Sequence, residues 1–126
     1  QIVDACAVLV GAQPRPLMIS SFNPMVLLAV AERGLPHPVG LLTMSADLRG
    51  GIAVAQELGC GVICPHHSAA GLDAPGVRAA HDVGLAVLVW TVDQPDHATV
   101  LAHAGVDAIC TNDPAGIHQV LQPLRR

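Results

Sequence analysis

An α/β fold built on a parallel sheet is what this 126-residue chain predicts, on three observations. Five short apolar stretches recur at near-regular intervals, each of strand length. Several are apolar at consecutive rather than alternate positions, the pattern of parallel strands buried on both faces. Helical patterns fill the gaps, so strand and helix alternate throughout.

The residues ahead of Leu17 read as an opening helix. Leu17 to Phe22 is the first strand, after which "SFNP" supplies a polar cap and a proline whose missing N–H costs a helix start nothing. Gly34 closes that helix, because a helix end favours the left-handed conformation glycine adopts freely. Val39 to Thr43 is the second strand, followed by a helix closed at Gly59, and Gly61 to Cys64 is the third, with its helix closed at Gly84. Leu85 to Val92 is the fourth; "TVDQP" opens the helix that Gly105 ends. Val106 to Thr111 is the fifth, and "TNDP" opens the last helix, where Ile117, Val120, Leu121 and Leu124 take the i, i+3, i+4, i+7 spacing of one buried face. No linker or low-complexity segment interrupts the series, so one domain is expected. Two architectures fit: a flavodoxin-like open sheet, or part of a (β/α)8 barrel, which needs about 250 residues when whole.

Composition narrows the chemistry. Charged residues are 13% of the chain and the formal net charge is -4, so no basic face is available for nucleic acid. No apolar run has the length of a membrane span. Lysine is absent, which excludes a P-loop and a Schiff-base site. Cys6, Cys60, Cys64 and Cys110 form no C-x-x-C pair and read as buried free thiols of a reducing compartment.

Ligands in either architecture sit at the carboxyl ends of the strands, here "SSFNP", "LLTMS", "CPHHS", "WTVD" and "CTNDP". The chain's two aromatic residues, Phe22 and Trp90, both fall in this set, which suits the wall of a pocket. His66 and His67 are expected on opposite faces, as strand neighbours are, so one ion would not take both. His37, His81, His97, His103 and His118 read as solvated. Asp47, Asp73, Asp93, Asp96 and Asp113 read as helix caps, and no two carboxylates form a divalent-cation cage at a strand end.

"ISSFNPMVLLAVAERGLPHPVGLL" and "VRAAHDVGLAVLVWTVDQPDHATVLAHAGVDAICTNDP" together resemble the carboxyl-terminal part of the glycerophosphodiester phosphodiesterases, over residues 17–118. The resemblance implies a (β/α)8 barrel of the phospholipase-C-like phosphodiesterase type, of which this chain supplies roughly the last five βα units, a single partial domain over residues 1–126. It implies a metal-dependent hydrolysis of glycerophosphodiesters to an alcohol and glycerol 3-phosphate. Phe22 and Trp90 match family positions at the barrel mouth, Ser21 lies in the matching "SSF", and His67 matches a strand-end histidine of some cytoplasmic members, so Trp90, Phe22, His67 and Ser21 are the expected substrate-binding residues. In the family the acid/base histidines and the carboxylates that hold a magnesium or calcium ion belong to the first three strands; none of those motifs is in this chain, so no catalytic or metal-ligating residue is expected here. Two departures change charge beside the mouth: Asp93 stands where asparagine is usual, and Asn112 where aspartate is common.

A start at Gln1 rather than Met, with five of eight strands, leads to the expectation of a fragment of a longer cytoplasmic enzyme, completed by its amino-terminal half or by a second chain or copy. A non-catalytic half-barrel that binds or assembles is the alternative.

Overall fold

The computed structural model describes residues 17–44 and 47–124. The expected opening helix and Cys6 lie outside them. The described chain runs β1 (Ile19–Ser21), α1 (Pro24–Glu32), β2 (Val39–Thr43), α2 (Leu48–Glu57), β3 (Val62–Pro65), α3 (Ala74–Asp82), β4 (Ala86–Val89), α4 (Pro95–Ala104), β5 (Ala108–Ile109) and α5 (Pro114–Leu121), then one 3-10 turn, Gln122–Leu124. The alternation read from the sequence is present throughout, with Gly34, Gly59, Gly84 and Gly105 at positive φ after α1 to α4.

β1, β4 and β5 are shorter than their apolar stretches. In β4 the ladder stops at Val89; Trp90 makes only an isolated bridge to His66, because the chain beyond it turns into the α4 entry. In β5, Asp107 is not a strand residue: its carboxylate accepts the Val87 N–H at 2.7 Å and faces the His81 ring nitrogen at 2.8 Å. Leu124 does not continue the buried stripe of α5. It is 38% exposed while Ile117 is 3%, since Pro123 cannot extend the helix and the chain tightens into the 3-10 turn.

All five strands are parallel and lie in the order β1-β2-β3-β4-β5. A flavodoxin-like sheet has its first two strands exchanged, 2-1-3-4-5. Because parallel crossovers are right-handed, a chain that always steps the same way places every helix on one face. Accordingly α2 packs on α3, α3 on α4 and α4 on α5. The sheet also curls. Phe22 follows β1 and Trp90 follows β4, which in a flat sheet would be about 14 Å apart, yet their ring centroids are 5.6 Å apart. Sequential order, a single helical layer and this curvature make the described residues an arc of a (β/α) barrel.

The register divides the side chains cleanly. Leu41, Ile63, Val87 and Val89 face the helices and bury with Leu27, Leu48, Ile52, Val77, Ala80, Ala98, Leu101 and Ile117. Ser20, Gly40, Leu42, Val62, Cys64, Ala86, Leu88 and Ala108 share the opposite, concave face. Gly40 is required there by close approach: a Cβ would lie 2.9 Å from Cys64 Sγ and 3.3 Å from Met18 Sδ.

Candidate functional site

The mouth of the arc, at the carboxyl ends of the strands, is organised by Trp90. Its backbone N–H donates to the Pro65 carbonyl at 3.2 Å, its carbonyl accepts the His67 N–H at 2.8 Å, and its indole Nε1–H donates to the Cys64 carbonyl at 2.8 Å. Three bonds to β3 and the residues just past it thus fix a half-buried ring over the concave face. The Phe22 ring meets it at 84° and is itself 53% exposed, so an apolar wall stands open to solvent.

From Trp90 the rings continue. His66 lies edge-on to the indole at 4.8 Å and 82°, His67 stacks on His66 at 4.1 Å and 34°, and His97 meets His67 at 5.6 Å and 83°. The expectation that His66 and His67 point to opposite faces is therefore wrong. β3 ends at Pro65, so the two-residue alternation of a strand stops before His67, and the turn brings the two imidazoles together. His97, set aside from sequence as a solvated histidine, is half-buried. The signal that could have found it is its place in the first turn of α4, since helix starts in this fold lie beside strand carboxyl ends.

Of the four expected substrate-binding residues, Phe22 and Trp90 touch, and His67 joins them through His66. Ser21 is not brought into this line of rings. It shares the parity of Ile19, and its Oγ accepts the Asn23 N–H at 3.0 Å, stabilising the turn into α1. Ser20, of the concave parity, is the exposed hydroxyl on that side.

Asp47, Asp73 and Asp113 cap helices as expected, accepting the N–H groups of Gly50, Gly76 and Gly116. Asp93 does not. The cap position of α4 is Gln94, which makes no side-chain cap bond, and the Asp93 carboxylate instead accepts the Asn112 N–H at 2.8 Å, the Asn112 side-chain amide at 3.0 Å and the Thr111 hydroxyl at 2.9 Å. These bonds, the Asn112 backbone N–H foremost, hold its carboxyl below the usual carboxylate range. The carboxylate at 93 and the amide at 112 bond each other and tie the end of β4 to the entry of α5.

Cys64 is fully buried on the concave face, and burial, with smaller contributions from Cys60 and Cys110, pushes its thiol up to about 12. Cys60 is buried as expected, whereas Cys110 is exposed, because it follows the short β5 where neither strand nor helix covers it. Among the described residues no three His, Cys, Asp or Glu side chains converge to hold a metal ion. Asp93 already accepts three hydrogen bonds and His66 Nδ1 is bonded to Ser68. The described residues do not fit a divalent-cation site. Among them, too, no helix is long and apolar enough to cross a membrane.

Residues 2–116 match the model of the glycerophosphoryl diester phosphodiesterase family. A glycerophosphodiester phosphodiesterase of Arabidopsis thaliana is 25% identical over 123 residues, which are 97% of this chain and 37% of that protein. A solved phosphodiesterase of Oleispira antarctica, in complex with its product sn-glycerol-3-phosphate, superposes with a TM-score of 0.82 at 22% identity, over 95% of this chain and 49% of that one. A glycerophosphodiester phosphodiesterase of Parabacteroides distasonis gives a TM-score of 0.70 at 23% identity, over 85% of this chain and 43% of that one. The chain thus spans less than half the length of each of these relatives. The match over residues 2–116, on a sequential, curled parallel sheet with an aromatic pair at its mouth, has one consequence: the chain belongs to the glycerophosphoryl diester phosphodiesterase family.

Proposed function

We propose that this chain is the carboxyl-terminal part of the barrel in an enzyme that hydrolyses glycerophosphodiesters to an alcohol and glycerol 3-phosphate, and that it supplies the wall against which the substrate's carbon portions rest. The observation that carries this reading is the Phe22–Trp90 pair, an exposed ring and a tethered ring at right angles over the concave end of the sheet. In the reaction, water adds to phosphorus, the bond from phosphorus to the alcohol oxygen breaks, and the departing oxygen takes a proton. The role of these residues is to bind and orient the diester.

A divalent cation, magnesium or calcium, belongs to the proposal for the intact enzyme, with its ligands outside the described residues. The arc is completed by the protein's amino-terminal half or by a second chain or copy, and residues 1–126 are one partial domain. The free thiols Cys60 and Cys64 support a cytoplasmic location.

The test is turnover of glycerophosphocholine by the purified full-length protein with magnesium or calcium, with and without excess chelator. Release of glycerol 3-phosphate that stops with chelator and returns with metal is expected. Turnover unchanged by chelator removes the cation from the proposal. Binding of the diester without turnover under any metal replaces the enzyme with the non-catalytic half-barrel. The isolated 126 residues are expected to show no turnover.

A further inference from the structure

We infer that His66 is a further substrate-binding residue of this site and that Ser68 positions it, fixing the imidazole as the neutral tautomer that offers an Nε2–H to the diester. The inference rests on the proposed phosphodiesterase reading. Two contacts meet at His66 Nδ1. The backbone N–H of Ser68 donates to His66 Nδ1 at 3.2 Å, and Ser68 Oγ lies 2.6 Å from the same nitrogen. A backbone N–H can only donate, so Nδ1 holds a lone pair. The serine hydroxyl then serves as a second donor to it. A neutral imidazole whose Nδ1 accepts carries its proton on Nε2.

That Nε2–H has no hydrogen-bond partner among the described residues. The ring is half-buried, follows Cys64 on the concave parity, bridges to Trp90 and lies between the indole and His67. A donor on a ring 4.8 Å from the Trp90 indole suits an anionic oxygen of a diester whose carbon portions rest on Trp90 and Phe22. Such a donor needs no ionisation, and the ring contacts on either side restrict its rotation, so it is oriented before substrate arrives.

The experiment uses the full-length protein with nitrogen-15-labelled histidine. Long-range proton–nitrogen NMR should show the His66 proton on Nε2; a proton on Nδ1 would overturn the inference. In kinetics, His66→Gln, whose amide N–H reaches the place of Nε2, should keep KM within about 3-fold, whereas His66→Leu should raise KM about 10-fold with a smaller change in kcat, the worth of one hydrogen bond to a charged group. Ser68→Ala removes the hydroxyl donor and keeps the backbone N–H, so it should raise KM by about 3-fold, leave the proton on Nε2 and move the Nδ1 nitrogen resonance downfield toward that of a less hydrogen-bonded lone pair, which a merely structural role for Ser68 would not do. Equal KM values for the Gln and Leu variants, both folded by circular dichroism, would sink the role of His66. If the wild type turns over no glycerophosphodiester, the phosphodiesterase reading fails by itself, and the same variants are then compared by their Kd for glycerophosphocholine.

Discussion

The indole of Trp90 carries two functions that different substitutions separate. Its Nε1–H is bonded to the Cys64 carbonyl at 2.8 Å and its ring faces Phe22. Trp90→Phe keeps an aromatic surface and removes the donor. It should therefore cost about 1–2 kcal/mol of stability, read by urea denaturation, with KM changed only a few-fold. Trp90→Ala removes the wall as well, and KM should rise by about 10-fold or more, as expected when an aromatic anchor is lost; an unchanged KM would take Trp90 out of the site. Cys64, beneath the indole, makes a pH prediction. Its folded thiol titrates near 12, pushed up by burial, while an unfolded thiol titrates at about 8.5. The unfolded chain then loses its proton first, so stability is full below the unfolded value and falls as pH rises toward 12. Denaturation between about pH 8 and pH 11 should show this slope, and Cys64→Ala should flatten it.

At the scale of elements, the helix starts fix where the mouth residues stand. Asn23, Asp47, Asp73 and Asp113 each accept a backbone N–H of the turn they open, and these positions were legible because a cap acts on its own neighbours in sequence. Asp93 was not legible, since its partners Thr111 and Asn112 lie on the next β/α unit. The third unit depends on Gly76, in the first turn of α3. A Cβ there would strike the Gly71 carbonyl oxygen and come 3.1 Å from Leu48 Cδ2. Gly76→Ala should therefore destabilise by about 1–3 kcal/mol, the usual cost of overpacking, measured as a lower urea midpoint. Wild-type stability in this variant would mean that the loop carrying Gly71 moves aside without cost.

For the whole molecule, sequential strand order has a consequence for assembly. Among the described residues β1 and β5 are the two edges of the sheet, and only one face is covered by helices. Open strand edges recruit partners. Size-exclusion chromatography of the 126-residue chain over a range of dilutions should show association; a folded monomer that persists at high concentration would show that the edges are protected within the chain itself.

Among the described residues the sequence by itself determined the order and type of the strands and α-helices, because apolar periodicity, proline-led caps and closing glycines act within a few residues of one another. It also singled out Phe22 and Trp90, because strand carboxyl ends are where this class of fold binds ligands. Only the tertiary structure decided between an open and a curled sheet, since both use the same local pattern and differ in which strands are neighbours. The line from Trp90 through His66 and His67 to His97 was likewise decided there, as was the Asp93–Asn112 link. These contacts join segments past the strand ends, where alternation no longer says which way a side chain points and the packing of separate β/α units does.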